Sequence, residues 1–178
     1  MYKNLDLDLG QISTIFFDVD GIFTDGSLYF MDNGSSMTKF NVYDGMGCIL
    51  LEEAGLELLI LTARHSDAVV KRFKELGITK IFTKVLKKRD FIKDYLKSHD
   101  LAKHEVAFMG DDLQDLAAIN EVGVFFTSSN AIDKVKESAH YVTLRSGGNG
   151  AVREISDLII RSKGSTPLLE FNRYLKKR

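Results

Sequence analysis

Short apolar runs alternate with amphipathic stretches along most of the chain. Mostly apolar segments over residues 15–18, 56–61, 80–82, 105–109 and 122–126 have the length and bulk of strands buried on both faces of a sheet. Between them, residues 47–53, 66–76, 88–97 and 113–121 follow helical spacing, and residues 135–137, 141–144 and a helix over 150–162 complete the series. This β-α-β-α rhythm predicts an α/β fold, a Rossmann-like doubly wound parallel sheet. One stretch breaks it. Over residues 27–42, alternating Leu28 and Phe30, then Met37, Lys39 and Asn41, flank Asn33-Gly34, a two-residue hairpin signal. A small β-hairpin flap is therefore expected just after the first strand, where a loop can cover a site.

Composition narrows the function classes. At 178 residues the chain reads as a single domain over 1–178, with no room for a large cap. A net charge of −1 argues against a nucleic-acid platform. The basic stretch 173–178 reads as the solvated end of a C-terminal tail over 165–178, opened by the sole proline, Pro167. No apolar run approaches the roughly 18 residues needed to span a bilayer, and there is no N-terminal signal pattern. The single cysteine, Cys48, sits among apolar residues and excludes an intramolecular disulfide. A cytoplasmic protein with no membrane partner is expected.

Candidate chemistry gathers where strands end. In open α/β sheets ligands bind beyond the carboxyl ends of the strands. The first strand ends in Asp18-Val19-Asp20-Gly21, the second in Thr62-Ala63-Arg64, and a later one in Gly110-Asp111-Asp112, while Lys87-Lys88 opens the helix after residues 80–82. Residues at i and i+2 of an extended chain share a side, so Asp18 and Asp20 are expected to converge. Paired carboxylates repel unless a cation lies between them, and magnesium, a hard ion with oxygen ligands, suits that place. Each member has a plainer reading: Asp18 and Asp20 as turn residues, Thr62 as a helix cap, the lysines as solvated charge, Asp111 and Asp112 as capping and first-turn acids, and Asp115 as more of the same negative charge. Taken together they describe phosphate handling. A carboxylate can attack phosphorus, a second can transfer the proton, and lysine and metal can neutralise the phosphoryl oxygens.

The motifs resemble those of the haloacid dehalogenase superfamily of phosphatases: Asp18-Val19-Asp20-Gly21, Thr62, Lys87-Lys88 and Gly110-Asp111-Asp112-Leu113-Gln114-Asp115, in that order. Residues 18–26, 40–47 and 145–154 further resemble the 3-deoxy-D-manno-octulosonate 8-phosphate (Kdo 8-phosphate) phosphatase family. The resemblance implies Asp18 as nucleophile and magnesium ligand. It implies Asp20 as acid/base and as a ligand through its backbone carbonyl, and Asp111 as the remaining carboxylate ligand. Asp112 would orient a metal-bound water, Thr62 would bond the phosphoryl group, and Lys88 rather than Lys87 would pair with nucleophile and phosphate. Arg64, Gly147 and Gly148 would bind a small anionic sugar-phosphate substrate. A homotetramer built through the hairpin is implied, with the tail, including Leu168, Leu169 and Phe171, able to reach a neighbouring site, and with a role in lipopolysaccharide precursor synthesis. Arg64 favours Kdo 8-phosphate over 2-keto-3-deoxynononate 9-phosphate, where relatives tend to carry glutamate. Ala63, and Leu116-Ala117 where proline often follows leucine, depart from the usual pattern. A broad sugar-phosphate phosphatase and a silent interaction domain remain alternatives. A receiver domain fits poorly, because here the second acidic cluster follows both Thr62 and Lys88.

Overall fold

A computed structural model describes residues 8–177. Arg178, the end of the basic stretch, and residues 1–7 lie outside them. The elements run β1 (Thr14–Phe17), β2 (Tyr29–Phe30), β3 (Ser36–Met37), α1 (Val42–Glu53), β4 (Glu57–Leu61), α2 (Asp67–Glu75) and β5 (Ile81–Phe82). There follow α3 (Lys88–Ser98), β6 (Val106–Met109), α4 (Leu113–Leu116), β7 (Val124–Thr127), α5 (Asp133–Ser138), β8 (Tyr141–Val142), α6 (Ala151–Ser162) and α7 (Pro167–Lys176).

Six strands form one parallel sheet in the order β5-β4-β1-β6-β7-β8, and β2 and β3 form a separate antiparallel hairpin. Side chains on each strand alternate between two cores. Ile15, Phe17, Leu58, Ile60, Ala107 and Met109 pack with Cys48 and Leu51 of α1, Phe73 of α2 and Ile155 and Ile159 of α6. Phe16, Leu59, Leu61, Phe108 and Phe125 pack with Ile92, Tyr95 and Leu96 of α3 and Val135 of α5. Burial on both faces explains why these strands read as continuous apolar runs.

Beyond shifts of a residue or two at element ends, three features differ from the sequence reading. Helix α1 starts at Val42 instead of residue 47, although Gly45 and Gly47 lie within it. A side chain at Gly45 would strike the Arg72 guanidinium, and one at Gly47 would come within 2.8 Å of Ser156 Oγ and 3.1 Å of Arg153 Cα. These glycines are there for close packing of neighbouring helices and do not break α1. The segment 113–121 is one short helix followed by a 3-10 turn, Ile119–Glu121, because Ala118 N and Glu121 N bond back three residues to Asp115 O and Ala118 O. The hairpin loop has three residues: Gly34 N donates to Met31 O (2.8 Å) and Met31 N to Ser35 O (2.9 Å), with Gly34 at φ +80°. This is a type I turn closed by a left-handed glycine, where a two-residue turn was expected.

The segment after Gly164 is also more ordered than a tail. Pro167 takes the first position of α7, Thr166 Oγ1 accepts from Leu169 N, and Lys177 pairs with Glu53 of α1. Phe171 packs against the core, while Leu168 and Leu169 stay exposed.

Candidate active site

Register sets the site. Phe17 pairs with Ile60 on one side and Met109 on the other, so β4, β1 and β6 end within one residue of one another. Asp18 extends the ladder by one bond, Asp18 N to Met109 O at 2.9 Å. Asp18, Thr62 and Asp111 thus follow three adjacent strand ends.

The chain then turns sharply. Ile22, Phe23 and Thr24 all direct their N–H groups to Val19 O. Phe23 packs edge to face on Phe17 and Phe73, anchoring the turn to the core. Gly21, at φ +77°, lies so close to Asp111 that any side chain there would overlap its carboxylate. The turn gives the two acids different surroundings: Asp18 is buried, whereas Asp20 is 38 % exposed and faces Arg64, Oδ1 to Nη1 at 3.6 Å. The strand ends at Phe17, so the extended-chain rule stops before it reaches Asp20.

The carboxylates that gather around Asp18 are Asp111 and Asp115, whose oxygens lie within 4.8 Å of one another and of Asp18. Lys88, at the start of α3, is wholly buried and reaches Asp18 Oδ1 at 2.8 Å and Asp115 Oδ1 at 2.5 Å. In the sequence Asp115 closes the acidic motif and adds negative charge to the first turn of the helix. In the structure it is the cluster's anchor: its Oδ2 accepts from Asp111 N (3.0 Å) and Asp112 N (3.1 Å) while Oδ1 holds the lysine. The signal was its place three residues after Asp112, the spacing at which an acid bonds back to a helix N-terminus.

Other expected residues fall as follows. Thr62 is buried; its Oγ1 accepts from Arg64 N (3.2 Å), leaving its proton free for a ligand. It does not cap α2, whose N-cap is Ser66. Lys87 is exposed at the N-cap of α3. Asp112 is exposed and caps α4 by accepting from Leu113 N at 2.7 Å, so the capping reading accounts for its side chain. Gly147 and Gly148 are buried against the turn after β1: a side chain at Gly148 would press on Thr24 and Asp25 backbone, and Gly148 N donates to Ile22 O at 2.9 Å. Close backbone packing calls for glycine at both positions. The turn is held further by Ser128 Oγ donating to Gly21 O.

Electrostatics favour a cation. Three carboxylates face one lysine. Burial, then Asp115, pushes Asp18 up to about 7 against the pull of Lys88. Burial, then Asp115, Asp18 and Asp112, pushes Asp111 up to about 8. Burial works against the charge on Lys88, yet Asp18 and Asp115 outweigh it and its pKa is raised. Asp115 has its oxygens engaged, and the Asp111 carboxylate accepts no hydrogen bond among the described residues. Asp18 and Asp111 are therefore the carboxylates free to hold a divalent ion. Beside them, a cleft of about 410 Å³ runs between the hairpin (Leu28, Phe30, Met37) and Asp20, Thr62, Arg64 and His65.

A haloacid dehalogenase-like hydrolase family model matches residues 73–155. The 3-deoxy-D-manno-octulosonate 8-phosphate phosphatase KdsC of Haemophilus influenzae is 33% identical over 162 residues, covering 91% of this chain and 90% of that protein. The chain belongs to this phosphatase family. Among solved structures, the family's enzyme from Moraxella catarrhalis, in complex with magnesium, phosphate and Kdo, superposes with a TM-score of 0.86 at 32% identity, covering 96% of this chain and 95% of that one. The cobalt-bound phosphatase from Haemophilus influenzae gives 0.83 at 34% identity, covering 88% and 92%. Family membership agrees with the six-stranded parallel sheet, and no large cap is present among the described residues.

Proposed function

We propose that the chain is a magnesium-dependent phosphoric monoester hydrolase that converts Kdo 8-phosphate to Kdo and inorganic phosphate, a step towards lipopolysaccharide precursors. The observation that carries this reading is the buried Asp18, held by Lys88 beside Asp111, with Asp20 turned into the adjoining cleft.

Asp18, Asp111 and the Asp20 backbone carbonyl would hold the ion, which when bound neutralises charge on the phosphoryl oxygens. The Asp18 carboxylate attacks phosphorus; an aspartyl phosphate forms as the bond to the sugar oxygen breaks. Asp20 donates its proton to that departing alkoxide, then takes one from the water that cleaves the aspartyl phosphate. Lys88 and the Thr62 hydroxyl hold the phosphoryl oxygens throughout. Arg64, at the cleft, pairs with the anionic sugar acid.

The same reading makes the enzyme cytoplasmic and a homotetramer. Support for the latter comes from the hairpin, which leaves Leu28, Phe30, Met31 and Met37 about half exposed or more. The deciding experiment compares phosphate release from Kdo 8-phosphate, 2-keto-3-deoxynononate 9-phosphate and simple sugar phosphates, with magnesium and with chelator. A strong metal-dependent preference for Kdo 8-phosphate is expected. A flat profile overturns the substrate, and no release from any ester overturns the chemistry.

A further inference from the structure

A second cleft, of about 600 Å³, lies between α6, the start of α1 and the loop after β8, and shares no lining residue with the flap cleft or the acid cluster. Its walls carry three guanidinium groups, Arg145, Arg153 and Arg161, and two phenols, Tyr43 and Tyr141. Residues 153, 157 and 161 stand at i, i+4 and i+8 of α6, so they line one face of the helix over roughly 12 Å of rise.

The two acids in the cleft are already engaged. Asp157 accepts from Arg153 Nε at 2.7 Å. Glu154 accepts from the Tyr141 hydroxyl (2.9 Å), Leu144 N (2.9 Å) and Arg145 N (3.0 Å). The Arg161 side chain forms no ion pair or hydrogen bond among the described residues, and the Arg145 side chain lies along Gly150 with only a longer-range pull from Asp44. Two guanidinium forks are therefore available at a concave surface, and Tyr43, 60 % exposed, adds a ring beside them.

A guanidinium fork matches phosphate oxygens two at a time, and two forks suit a group with several anionic oxygens. We propose that this cleft is a second anion site, for a small molecule carrying a diphosphate group, distinct from the site that would hold magnesium and phosphate ester. The diphosphate is either free or borne on a nucleoside, whose base would stack on Tyr43.

The test is calorimetric titration of the magnesium-loaded protein, at fixed free magnesium, with inorganic pyrophosphate and separately with ADP. The same titrations are run on Arg161→Gln and on Arg145→Gln/Arg161→Gln. The Arg161 side chain holds no partner, so its single variant keeps the fold; phosphoester turnover in the absence of either probe is expected to be unchanged in it. Affinity should fall by about tenfold or more in the double variant and by less in the single one. Tighter binding of ADP than of pyrophosphate would support the nucleoside-borne group, and the reverse the free one. Equal affinity in wild type and double variant would place all binding at the metal site and overturn the proposal, as would no binding of either probe.

Discussion

Lys88 Nζ lies 2.5 Å from Asp115 Oδ1, with both side chains shut off from solvent. The contact fixes the lysine from behind while its other bond reaches Asp18. Removing Asp115 leaves Lys88 one carboxylate short and strips the Asp111 and Asp112 amides of their acceptor. Lys88 keeps Asp18, but amides left without an acceptor are costly, so Asp115→Ala should lose about 1–3 kcal/mol of stability. Urea unfolding in the metal-free state measures it. A loss of less than about 1 kcal/mol, the range of an exposed pair, would show that Asp115 does not anchor the cluster.

Metal-free protein should become less stable as pH rises through neutrality. The folded state holds Asp18 at about 7 and Asp111 at about 8, against 3.8 for an ordinary aspartate. Between pH 3.8 and those values the folded state binds more protons than the unfolded one. Stability is then greatest at the low end of the window, falls with rising pH, and levels off above about 8. Saturating magnesium should flatten this slope, since the ion replaces the protons, and its affinity should weaken below pH 7. Melting curves from pH 5 to 9, with chelator and with magnesium, test both. A midpoint that rises with pH in chelator would contradict the cluster's electrostatics.

The parallel sheet and the strand-end chemistry were legible in the sequence because both rest on local signals. Continuous apolar runs mark doubly buried strands; Asp18 and Thr62 directly follow such runs, and Asp111 follows one after Gly110. What escaped depends on contacts distant in sequence. The turn at Val19 that sends Asp20 into the cleft is fixed by Phe23 against Phe73 and by Gly21 against Asp111. Asp115 reads as one more helix acid until Lys88, 27 residues away, is folded against it. The start of α1 at Val42, ahead of Gly45 and Gly47, depends on Arg72 of α2 and on α6 packing against those two glycines. The packing of Gly147 and Gly148 against the turn after β1 is likewise a contact distant in sequence.

Gly21 offers a sharper test of that turn. At φ +77° and in contact with the Asp111 carboxylate, it has neither the conformation nor the space for a side chain. Gly21→Ala should displace Asp111 and so weaken magnesium binding by about tenfold or more, beyond any loss of stability. Gly34→Ala is the control: it shares a φ of +80° with nothing within 4 Å, so it carries the backbone strain alone. Equal magnesium affinity in the two variants would mean that the Gly21 contact does not position the ligand.

Arg64 separates substrate choice from chemistry. Its pair with Asp20 is long, 3.6 Å, and both side chains are partly exposed, so it adds no more than about 1 kcal/mol to stability. In the cleft, by contrast, it is the guanidinium adjoining Thr62 and the flap. Arg64→Ala should therefore leave the melting temperature almost unchanged while raising KM for an anionic sugar phosphate by about tenfold. For a phosphoester whose leaving group carries no carboxylate, such as p-nitrophenyl phosphate, KM should move little, because beyond the phosphoryl group there is no anionic group for Arg64 to read. Lys88→Gln should behave in the opposite way, lowering kcat for both esters by about 10²-fold or more, since its amine faces the phosphoryl group common to both. Steady-state kinetics on the two esters distinguishes the roles. If Arg64→Ala lowered kcat equally for both, Arg64 would belong with the phosphoryl-transfer machinery, acting on Asp20 and not on the sugar acid.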